Sequence, residues 1–345
     1  MREDVGGPRI LLAAGTTETA LIEGISAAGA SPAVMDHTPA ADAEIVAYGE
    51  PVTAPVTPVT PTGCVTPAAV TRAVREVVGF EFVVLNAGFT TPTAAPTVDL
   101  GADPGRDVRA PIAVSDAEGV FERARTYAAA LPDDEIVVGE TVPGGTTTAL
   151  GVLTALGEPT DVSSSLPENP IERKRQVVDE ALEASGLEAG ECAGDPLTAI
   201  RHVGDPVQAA VLGLTSGAVE TGTRVTLAGG SQQLAIAALA RHLGHEEPLT
   251  VATTSFVAAD RGVDLERATA RLDCELVISD PNFDGCGHVA MRRYCAGEAK
   301  EGVAMGGALS IVPDERMGAV RERFAAVCAR LGMDDARDHP DREVN

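Results

Sequence analysis

Short apolar runs recur along the chain, each closed by a turn rich in glycine, threonine or serine, and several lead into a stretch of helical periodicity. ILLAAG (Ile10–Gly15) precedes TTETALIEGISAAGA, and EIVVGE (Glu135–Glu140) precedes a glycine turn and ALGVLTALG. RVTLAGG (Arg224–Gly230) precedes SQQLAIAALARHLG. EFVVLNAG (Glu81–Gly88), PLTVATT (Pro248–Thr254) and CELVISD (Cys274–Asp280) are further buried-strand patterns, and FTTPTAAPTVDLGADPG after the first of these reads as loop. Near-continuous apolar strands alternating with helices predict an α/β fold, a mostly parallel sheet covered by helices on both faces. In such sheets ligands sit at the carboxyl ends of the strands. That edge would gather Asn86, Glu140, Gly144, Gly229, Ser231 and Thr254.

The connecting segments read differently. Pro51–Gly63 is Pro/Thr-rich and predicts an extended surface linker. Glu172–Leu187 predicts a charged amphipathic helix with a solvated face, and 334–345 a charged, disordered tail.

Composition narrows the function classes. The 345 residues carry 51 acidic and 26 basic side chains, a formal net charge of -25, and the acids are spread throughout. Lys174 and Lys300 are the only lysines. A cationic partner would explain such a surface, but scarce lysine and dispersed acid fit better a soluble cytoplasmic protein in a salty cytosol that screens self-repulsion. Nucleic acid is disfavoured as a partner, because phosphate binding needs clustered Lys/Arg. The acidic start and short first apolar run predict neither signal peptide nor membrane span. Six cysteines without a repeated CxxC read as reduced thiols, and Asp280, Asp284, Cys286, His288 and Cys295 fit no strong zinc pattern. No metal and no cofactor are expected.

Candidate chemistry gathers in two glycine-rich turns. In Glu135–Leu150, EIVVGETVPGGTTTAL, the spacing nearly matches a P-loop, but Gly145 stands where its lysine belongs. Free N–H groups at a helix start suit an anion, so a monophosphate is expected there and not a magnesium triphosphate. Glu140, inside that loop, would repel phosphate unless it takes part in chemistry. In Ala296–Val312, Glu298 and Glu301 flank Lys300 ahead of Gly302, Gly306 and Gly307. Either glutamate could be a general base if burial lifts its pKa, or an acid favoured at a helix start. NAGFTTPT (Asn86–Thr93) suits a flat heterocycle or ribose, and equally a plain turn. Motifs of serine hydrolases, zincins and dinucleotide-binding oxidoreductases are missing.

Over roughly residues 8 to 312 the chain resembles the nicotinate-nucleotide–dimethylbenzimidazole phosphoribosyltransferases, in particular their archaeal branch. GETVPGGTTTA resembles that family's GEMGIGNTT-type loop, KEGVAMGGA (Lys300–Ala308) a variant of its C-terminal GEGTGA motif, and TTETALIEGISAAGA and NAGFTTPT mark the archaeal branch. The resemblance implies a Rossmann-like fold with a smaller helical domain from the terminal regions: a core over 75–312, with 1–74 and 313–345 supplying the smaller domain. It implies a homodimer that moves the 5-phosphoribosyl group from nicotinate mononucleotide to a benzimidazole-type base in cobamide lower-ligand assembly, without metal. By correspondence Glu301 would be the catalytic base and Glu140 the glutamate of the glycine loop, while Gly144, Gly145, Thr146 and Thr147 would cradle phosphate. Asn86 and Thr90 are expected to touch nucleotide or acceptor, and Ser231 to add a hydroxyl. Thr141-Val142-Pro143 and Gly145 depart from the family loop, and the extra residues of the C-terminal motif leave Glu298 open as the base. An N-glycosidic hydrolase and a catalytically silent nucleotide-binding protein are the alternatives.

Overall fold

A computed structural model describes residues 7–26, 29, 31–159 and 161–333. Seven strands, β1 (Gly7–Ala14), β2 (Phe80–Asn86), β3 (Thr97–Asp99), β4 (Glu135–Thr141), β5 (Arg224–Ala228), β6 (Leu249–Thr254) and β7 (Cys274–Ser279), form one sheet in the order β3-β2-β1-β4-β5-β6-β7. Every neighbouring pair is parallel. The six apolar runs are all strands. β3 is the addition: its three residues lie at the sheet edge inside a stretch that reads as loop, paired through Val84↔Thr97 to Asn86↔Asp99.

Two apolar layers cover the sheet. One includes the helices Ala117–Ala129, Gly145–Leu156, Pro206–Glu220 and Ser231–Leu243. The other joins chain from both ends, the helices Thr38–Tyr48 and Ala68–Val78 with Met305–Ser310 and Met317–Arg330, around Phe283, Tyr294 and Phe324. Helices from both terminal regions thus share one layer. β1, from the first 74 residues, lies inside the sheet between β2 and β4.

Three connecting segments differ from expectation. Among the described residues, the stretch after β1 makes a short 3-10 turn, Glu18–Leu21, capped by Thr17, in place of the longer helix that the sequence predicts. Pro51–Gly63 is not a free linker: Pro58 and Thr60 are buried, and Glu44 accepts bonds from the amides of Val52 (2.6 Å), Thr53 (2.9 Å) and Ala54 (3.1 Å). The charged helix forms as Ile171–Ser185, but its Lys174 is fully buried. The tail 334–345 lies outside the described residues.

Candidate functional site

The strand order reverses between β1 and β4, and parallel sheets open a crevice at the carboxyl ends beside such a reversal. A cavity of about 970 Å³, its open mouth included, lies there. β4 contributes Glu140 and Thr141, whose Cα partners on β1 are Ala13 and Ala14. The next residues, Val142 to Thr146, continue the wall, and Glu301 to Val303 face it from the C-terminal loop.

Sequence places Glu301 where it is because of the glycines around it. The helix Met305–Ser310 lies flat on the sheet: a Cβ on Gly306 would stand 2.5 Å from the Thr253 Cα, and one on Gly307 2.5 Å from the Ala228 Cβ. The motif's glycines thus serve close packing. The preceding turn presents the Glu301 carboxylate. Its Oε1 accepts from the amides of Gly302 (3.1 Å) and Gly306 (3.0 Å), whereas its buried Oε2 has no hydrogen-bond partner among the described residues.

The two glutamates differ in their surroundings. Burial pushes the Glu301 carboxyl up to about 8 against the pull of backbone amides at Gly306, Gly302, Met305 and Thr254. Burial also pushes Glu140 up to about 8, helped by the charges of Asp205, Glu301 and Asp42 and opposed by the Val142 amide. Two carboxyls that repel each other give up their protons in separate steps. Backbone donors favour ionised Glu301, and neighbouring anions favour protonated Glu140.

Glu298 has other work. It accepts from Thr60 Oγ1 (2.7 Å), Thr62 Oγ1 and Arg293 Nη1 (3.2 Å), which bind the Pro/Thr segment to the C-terminal loop. It does not line the cavity.

Of the glycine-loop residues, Gly144, Gly145 and Thr146 border the cavity, and Thr147 lies buried outside its lining. Three amide bonds of this helix start are used locally, Gly145 N to Val142 O (3.0 Å) and Thr147 N and Thr148 N to Gly144 O (2.9 and 3.4 Å). Ser231 does line the cavity, and its Oγ accepts from Ser163 N at 2.7 Å. Asn86 and Thr90 do not. Asn86 Oδ1 accepts from the amides of Gly88 (3.0 Å) and Phe89 (2.9 Å), and Thr90 Oγ1 pairs with Thr16 Oγ1 (2.6 Å). Asn86 closes its own loop, and Thr90 ties that loop to the segment after β1.

Three features of the site were missed in the sequence. Asp42 lines the cavity, accepting from Thr66 Oγ1 (2.6 Å) and Thr141 Oγ1 (2.7 Å), with burial raising its pKa to about 6. Ser163 to Ser165 form the wall near Ser231. Behind them stand both lysines. Lys174 Nζ donates to Ser163 O (2.9 Å) and Asn169 Oδ1 (3.3 Å), and burial, with Lys300 nearby, lowers its pKa to about 7. Lys300 Nζ pairs with Asp260 (2.7 Å) and borders the cavity. Among the described residues no group of three or more His, Cys, Asp or Glu is placed to hold a metal ion, and no helix is long and apolar enough to cross a membrane.

No family model matches the chain. A UPF0284 protein of Halobacterium salinarum is 54% identical over 323 residues, covering 93% of this chain and 97% of its own. A UPF0284 protein of Methanosarcina mazei is 42% identical over 307 residues, 88% of each chain. Among solved structures, CobT from Thermus thermophilus superposes with a TM-score of 0.61 at 17% identity, over 96% of this chain and 88% of that one. A structure described as the nicotinate-nucleotide–dimethylbenzimidazole phosphoribosyltransferase of the same organism gives 0.58 at 17% identity, over 96% and 87%. The fold that the motif resemblance implies is the fold observed.

Proposed function

The chain belongs to the UPF0284 family, and from that membership and this fold we propose that it is a phosphoribosyltransferase acting on nicotinate mononucleotide and a benzimidazole-type base. The products are α-ribazole 5'-phosphate and nicotinate, as in assembly of a cobamide lower ligand. The observation that carries the reading is the Glu301 carboxylate in the cavity wall, fixed through one oxygen by two backbone amides with the other oxygen buried and unpaired among the described residues.

The chemistry asks little else of the protein. The bond between the pyridinium nitrogen and C1' breaks with its electron pair going to the pyridine, so the leaving group needs no acid. The unprotonated ring nitrogen of the acceptor forms the new bond to C1' from the opposite face with its lone pair, and the proton on the other ring nitrogen passes to Glu301 Oε2. One in-line displacement inverts the anomeric centre, and positioning in an enclosed site supplies much of the rate. Protonated Glu140 stands by as a neutral hydrogen-bond donor.

The phosphate reading divides between two ends of the cavity. Gly144, Gly145 and Thr146 offer a helix start but share it with Glu140. Gly230, Ser231 and Ser163 to Ser165 offer a second helix start that has no carboxylate of its own among them, with Lys300 at its border, and that end suits the 5'-phosphate better. Two such chains would associate as a homodimer.

The test is incubation with nicotinate mononucleotide with and without dimethylbenzimidazole, followed by mass spectrometry. Acceptor-dependent nicotinate release with a ribazole phosphate product supports the transfer. Release without acceptor would make it a hydrolase, and binding without release a silent nucleotide-binding protein.

A further inference from the structure

The turn that presents Glu301 has an unfavourable backbone conformation, and one side chain from a neighbouring helix of the same layer helps to hold it. After Glu301 the chain passes through Gly302 (φ +133°), Val303 (φ +54°) and Ala304 (φ +60°). A left-handed conformation is costly for any residue with a Cβ, and most of all for a β-branched one such as Val303. Residues kept in such a state persist only where their surroundings over-determine them, and they concentrate at functional sites.

Val303 is fixed at both of its peptide groups. Its amide donates to the Glu140 carbonyl (2.9 Å), and its carbonyl accepts from Thr71 Oγ1 (2.7 Å). Thr71 is fully buried on the helix Ala68–Val78 and does not line the cavity. Its hydroxyl turns away from its own helix, as that of Thr148 does in bonding Asp205, and unlike those of three threonines further along their helices. Thr154, Thr215 and Thr269 turn back to the carbonyls four residues earlier, at Leu150, Val211 and Leu265. That is the local habit of threonine in helices. Thr71 instead reaches a partner 232 residues away in sequence.

We propose that Thr71 is a positioning residue, whose hydroxyl holds the left-handed turn at Val303 and so aims Glu301 at the acceptor. The proposal rests on the transferase reading for its catalytic consequence, but the contact can be tested without it. Thr71→Val keeps the shape and removes the donor, and Thr71→Ser keeps the donor. With nicotinate mononucleotide and dimethylbenzimidazole, Thr71→Val is expected to lower kcat at least tenfold with the nucleotide KM within twofold of wild type, and Thr71→Ser to restore kcat. Amide hydrogen exchange at Gly302 and Gly306, whose N–H groups hold Glu301, should speed up at least tenfold in Thr71→Val and not in Thr71→Ser. Wild-type kcat in a folded Thr71→Val overturns the proposal, as does a kcat lost equally in Thr71→Ser. Should the wild type itself turn over no acceptor, the transferase reading falls and exchange alone decides: acceleration upholds the latch, and unchanged rates overturn it.

Discussion

Gly139 of β4 runs so close to the Glu301 turn that a Cβ in its place would lie 2.4 Å from the Ala304 Cβ and 2.7 Å from its Cα. This contact seats the C-terminal turn beside the residue before Glu140. Gly139→Ala must push the turn away or distort the strand. We expect a stability loss of about 1–3 kcal/mol, as for overpacked cores, by chemical denaturation. A fall in kcat well beyond what that loss explains should accompany it.

Glu301→Gln should lower kcat by roughly 10²–10⁴-fold, the span of a lost general base, with nucleotide affinity little changed in calorimetry. Retained turnover would move the base elsewhere.

The working form of Glu301 is its anion, and its carboxyl is pushed up to about 8. Wild-type kcat/KM should therefore rise with pH and level off above about 8. Stability should run the other way. A carboxyl raised above its ordinary 4.5 favours the folded state fully below that value and loses this advantage as pH rises through about 8. Glu301→Gln should accordingly gain in Tm relative to wild type between pH 6 and 9, which a calorimetric pH series at fixed salt will read.

Glu44 has the opposite sign. Burial works to raise its pKa, but the amides of Ala94, Val52, Ala54 and Thr53 outweigh it and hold the carboxyl below its ordinary 4.5. Glu44→Gln places an NH₂ among donors and should cost on the order of 3 kcal/mol at neutral pH. The stabilisation is complete above the ordinary value and is lost as pH falls through the depressed folded value. The gap between variant and wild type should thus narrow in acid.

Ser231→Ala frees the Ser163 amide that the hydroxyl now accepts from. If the Ser231 end holds the 5'-phosphate, the nucleotide KM should rise roughly tenfold, the worth of about one hydrogen bond to a charged group. An unchanged KM would return the phosphate to the Gly144 loop.

The sheet was legible because buried parallel strands are nearly uniform apolar runs, and the place of Glu301 and Glu140 at the cavity because each lies in a glycine-rich turn. β3 was hidden because three residues carry no periodicity. Asp42 was hidden because it stands in an alanine-rich helix with no local motif. Its burial is set by Thr66 and Thr141, the second of them 99 residues away. The place of Asn86 outside the cavity lining was not legible, because an amide after a strand serves a ligand or its own turn equally well, and its bonds to Gly88 and Phe89 have no local motif. The Pro/Thr segment looked like linker because nothing nearby in sequence shows that Glu44 and Glu298 bind it down.

Both lysines are enclosed, Lys174 fully and Lys300 at 6% exposure. Every side-chain ammonium group this chain possesses is thus shielded while it is folded. An amine-reactive dye should leave these two positions unmodified on the native protein and reach them only as the structure opens. Peptide mapping at Lys174 and Lys300 would then follow opening of this side of the cavity with no engineered probe.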